Sequence, residues 1–120
     1  MAEGFANFYG RDVLRALSAG LAPVPSIVPP TVAVMKEKNV DVSKHVPQLY
    51  DPVRAAAKFD IVVNMSGYKL PGDPPKQLIE WTVRDPYRNS PTVYRAVRDD
   101  IEHRVMQLIL QLRRKPHARK

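Results

Sequence analysis

The clearest pattern in the chain lies toward its C-terminal end. Tyr94, Val97, Ile101, Val105, Leu108 and Leu112 recur at steps of three and four, which lays one apolar stripe along a helix. Ser90-Pro91 supplies its start, and the pattern carries it to about Leu112, with Arg95, Arg98, Asp99 and Glu102 largely off the stripe. At the other end, Phe5 with Phe8 or Tyr9 has helical spacing, and Gly10 stops that first helix. Val13 to Leu17 reads as a short strand ended by Ser18-Ala19-Gly20. Prolines crowd the stretch from Leu21 to Pro30, which predicts an extended loop.

Thr31 is expected to cap a second helix reaching Lys38, with Val32, Met35 and Val34 turned inward and Asn39 making a left-handed exit. Asp51 as N-cap and Pro52 at the first helical position open a third helix through Lys58. Phe59 to Met65 contains the run Ile61-Val62-Val63, as suits a strand covered on both faces. A loop marked by Pro71, Gly72, Pro74 and Pro75 separates it from a further strand, Gln77 to Val83. The order is helix, strand, helix, helix, strand, strand, helix. Strands separated by helices predict an α/β fold with a small parallel sheet and helices on its faces in three layers.

Composition narrows the chemistry. With 120 residues, 44% hydrophobic and 26% charged, the chain suits one soluble globular domain. No apolar run approaches the roughly 18 residues that span a bilayer, and no secretory signal is visible, so a cytoplasmic protein without a membrane is expected. Cysteine is absent, which removes disulfides, thiolate metal sites and thiol catalysis from the 120 residues. His45, His103 and His117 are not spaced as metal ligands, so neither metal nor cofactor is expected. The net charge of +7 is concentrated in the last eight residues, RRKPHARK, which hold five of the 19 Lys and Arg and no acid. Residues 1–112 are therefore read as the domain and 113–120 as a solvated basic tail, with no nucleic-acid partner.

Several stretches, taken in order, resemble the low-molecular-weight protein tyrosine phosphatase and arsenate reductase superfamily. Met1 to Ala6 (MAEGFA) looks like the helix after that family's phosphate loop, and Ser18-Ala19-Gly20 like the SAG after its second strand. Val40-Asp41-Val42-Ser43 with His45 and Leu49 resembles its G-x-D-x-S-x-H region, and Phe59 to Val63 its third strand. Trp81, Asp85-Pro86-Tyr87 and Val97 to Ile101 resemble its acid loop and last helix.

The resemblance implies a sheet of the phosphotyrosine phosphatase I type and a three-part chemistry. A C-x5-R loop cradles an anion on backbone N–H groups, its cysteine attacks as a thiolate, and an aspartate protonates the leaving group and then activates water. On that reading Asp85 is the general acid, Tyr87 lines the pocket wall and His45 helps order the pocket. Tyr87 and Tyr94 become candidate phosphorylation sites. The implied substrate is a phosphorylated tyrosine protein or a small aryl phosphate.

Two parts of the pattern are missing from the sequence. The C-x5-R loop and the central first strand would precede Met1. The expectation is that a further N-terminal segment supplies both. Otherwise the open lane is filled by a partner or a second copy, which makes a dimer through the incomplete sheet possible. The resolving cysteine of the arsenate reductases is also missing, since Ser66 stands in that region. The phosphatase branch is thus the expected one. The alternatives are a non-catalytic binding or scaffold protein, and an arsenate reductase relative without the thiol relay.

Overall fold

The computed structural model describes residues 1–21, 27–72 and 74–114. The middle of the proline-rich loop and the basic tail from Lys115 onward lie outside the described residues. The elements are α1 (Ala2–Tyr9), α2 (Pro29–Lys36), α3 (Pro52–Lys58), β1 (Val62–Asn64), β2 (Leu78–Glu80) and α4 (Pro91–Arg114). β1 and β2 run parallel, with Val62 opposite Leu78, Val63 opposite Ile79 and Asn64 opposite Glu80. The result is a small α/β fold, as the pattern predicted, with fewer and shorter strands.

The local signals explain most of the ends. Asp51 caps α3 by accepting the N–H groups of Val53 and Arg54, and Pro52 sits where no intrahelical N–H is needed. α2 begins at Pro29 rather than at Thr31. Two successive prolines with fixed φ are already set for a first helical turn, and the preceding Val28 is extended. After α2 the chain closes as expected at Asn39, whose φ is 62°. The N–H of Val40 donates to the carbonyl of Met35 and that of Asn39 to Lys36, which satisfies two terminal carbonyls and turns Val40 into the core. α1 ends at Gly10 for a different reason. Its φ of −117° is open to any residue, but a Cβ there would lie 2.9 Å from both the Ala6 carbonyl and Ile109.

The core is built by helices. Phe5, Met35, Val40, Val42, Val97, Ile101, Val105 and Ile109 form one buried cluster, in which α1 and α2 both pack on α4. α4 follows the expected stripe through Val105 and then takes Ile109, a full step of four, while Leu108 and Leu112 are only half-buried. Tyr94 is buried at 3% exposure, which removes it as an accessible phosphorylation site. α4 also continues two residues past Leu112. Arg113 there grips Asp12 and the Tyr9 carbonyl, tying the end of α4 to the turn after α1.

The expected strand from Val13 to Leu17 does not form. Residues 11–13 make a turn and residues 14–19 belong to no regular element. A strand needs a ladder partner. Here Ala16 finds only a side chain, its N–H donating to Asn7 Oδ1 at 2.8 Å and its carbonyl accepting from Asn7 Nδ2 at 2.9 Å. Among the described residues of this stretch, Gly20 alone forms a bridge to another segment, in parallel to Leu49. The strand expected from Phe59 likewise starts at Val62, because Phe59 is still donating its N–H to Ala55 to close α3.

Candidate functional site

Asp85 lies in the segment between β2 and α4. Its Oδ1 accepts the N–H of Tyr87 at 3.0 Å, a turn that the Asp-Pro pair favours. The N–H of Asn89 closes the next step onto the Pro86 carbonyl at 2.8 Å. Arg88 holds a φ of 64° and lays its guanidinium 5.4 Å from the centre of the Tyr87 ring. Asp85 and Tyr87 are both exposed, Tyr87 by 50%. Just before this turn, Trp81 and Val83 pack against the helical core and anchor its base.

His45 belongs to a second cluster, at the flank of α1. Its Nδ1 lies 3.2 Å from Glu3 Oε2, and its Nε2 lies 3.0 Å from Ser18 Oγ. The Ser18 hydroxyl in turn donates to Glu3 Oε1 at 2.7 Å. Three elements far apart in sequence meet here: the first turn of α1, the segment before Gly20 and the loop after α2. Glu3 and His45 of this cluster line a shallow groove of about 660 Å3 that runs along α1 past Phe8 and Arg11, and the groove takes in neither Ser18, Asp85 nor Tyr87. The residues named from the motifs therefore occupy two places: Asp85 with Tyr87, and His45 with Glu3 and Ser18.

In the sequence Ser18 only closes the stretch from Val13 to Leu17, and Glu3 is one residue of the MAEGFA run, so neither stands out as a partner for His45. The separation of 27 residues between Ser18 and His45 leaves no local signal. Further along the groove, Asp41 accepts the N–H of Ser43 at 2.9 Å. Hydrogen bonding from Ser43, with Lys44 and Lys36 nearby, holds the Asp41 carboxyl below the usual carboxylate range.

Just after β1, Ser66 is fully employed within its own turn. Ser66 Oγ donates to Asn64 Oδ1 at 2.7 Å and accepts the N–H of Tyr68 at 3.1 Å. Asn64 is itself 4% exposed and donates to the Tyr68 carbonyl and to Glu80. Among the described residues no group of three or more His, Asp or Glu could hold a metal, and no described helix is long and apolar enough to cross a membrane.

The chain is 33% identical to the glutaredoxin arsenate reductase of Synechocystis sp. over 118 residues, which span 93% of this chain and 87% of that protein. It belongs to the arsenate reductase family. Arsenate reductase 1 of Bacillus cereus is 29% identical over 109 residues, covering 88% of this chain and 80% of the relative. A solved arsenate reductase in its oxidized state superposes with a TM-score of 0.80 at 28% identity, over 92% of this chain and 86% of that one. No family model matches the chain. The motif resemblance to the phosphatase and reductase superfamily thus stands, and it falls on the arsenate reductase side.

Proposed function

We propose that this chain is an arsenate reductase relative without the thiol relay, which as a 120-residue polypeptide neither reduces arsenate nor hydrolyses a phosphate ester. The observation that carries this is the absence of cysteine from the whole sequence. Reducing arsenate to arsenite takes two electrons, which a relay of this kind draws from two thiols that end as a disulfide. A serine has no such oxidised state. Ser66, moreover, spends its hydroxyl on holding the turn after β1. What remains is the scaffold, the acid loop and the Glu3–His45–Ser18 cluster. The test is to incubate the purified chain with arsenate, glutathione, glutaredoxin and a system that keeps glutathione reduced. Arsenite should form no faster than in a protein-free control. Formation in proportion to added chain would overturn the reading.

One observation favours a second reading. The Asp85 turn is kept in order between β2 and α4, with only one carboxylate oxygen engaged among the described residues. In a phosphatase-type reaction Asp85 would be the general acid, Tyr87 the pocket wall and His45 an ordering group, with a thiolate from outside these 120 residues as nucleophile. A version of the chain carrying a C-x5-R segment before Met1 tests it with a chromogenic aryl phosphate. Turnover should appear and should fall by about 100-fold or more in Asp85→Asn. Equal rates for the two versions would remove Asp85 from the chemistry.

A further inference from the structure

We draw no further inference here: the strongest candidate, the three-residue edge of β2 turned away from β1, where Leu78 is 42% exposed and no strand pairs among the described residues, carries none because nothing in the structure shows what covers it.

Discussion

Both hydrogen-bonding ends of the Asn7 amide are spent on Ala16, giving a residue outside any sheet the two bonds that a neighbouring strand would have supplied. Asn7→Ala should therefore cost about 1–2 kcal/mol, since it strips both backbone groups of a half-buried residue. Asn7→Asp keeps the acceptor and loses the donor, and should recover part of that. Urea denaturation of the three proteins measures it, and equal midpoints would show that water replaces the amide without loss. Arg98 is the other residue that decides local order. It is 7% exposed, and it donates to the Val34 carbonyl at 3.1 Å, to Glu37 at 2.6 Å and to Asp99 at 2.9 Å. Arg98→Met keeps the bulk but leaves the Val34 carbonyl without this donor, and should cost about 2–3 kcal/mol in the same measurement. Asp51 and Asn39 were legible in the sequence because a cap and a left-handed exit are set by neighbours within a few residues. Arg98 was not. Its position beside the apolar stripe reads as solvated until α2 is known to lie across it.

Between elements, α2 and α4 are joined by charge as well as by packing. Arg95 and Arg98 of α4 both reach Glu37, just past the end of α2, and hold its carboxyl below the usual carboxylate range. Arg113 does the same for Asp12, beyond the end of α1. In both cases folding favours the ionised form. The stabilisation is therefore present above the ordinary carboxylate pKa and drains away as pH falls through and below that range. The melting temperature should fall between pH 5 and 3, and Glu37→Gln should flatten part of that slope while lowering the neutral-pH value. A melting temperature independent of pH over this window would contradict the role of these pairs. The one element that failed to form, the strand from Val13 to Leu17, shows the limit of pattern at this scale. A run of apolar residues gives a propensity, but a strand exists only with a partner for its backbone, and no sequence window reports that partner.

Over the whole molecule, the sheet and the stability lie in different places. The buried cluster draws on α1, α2, α4 and the Val40–Val42 segment, and contains no residue of β1 or β2. The strands are three residues each and join the core through Trp81 and Val83, which are only half-buried. Parallel strands normally depend on cover over both faces and on neighbours at both edges. The helical pattern of the sequence identified the true core for this reason: the 3.6-residue periods of α1 and α4 are written where burial is deepest. The β-branched run at Ile61 to Val63 marked the strand without showing that the strand would be energetically marginal. Amide hydrogen exchange separates the two regions directly. Ile101 and Val105, in the middle of α4, should exchange only through global unfolding. The Val62 and Trp81 amides, which donate across the strand pair to Gln77 and Asn64, should open locally, each 1.4 kcal/mol of difference appearing as about tenfold less protection. Protection of those two amides equal to that of the α4 amides would mean that the strand pair unfolds with the helices as one unit, and that the thin link through Trp81 and Val83 carries more than its burial implies.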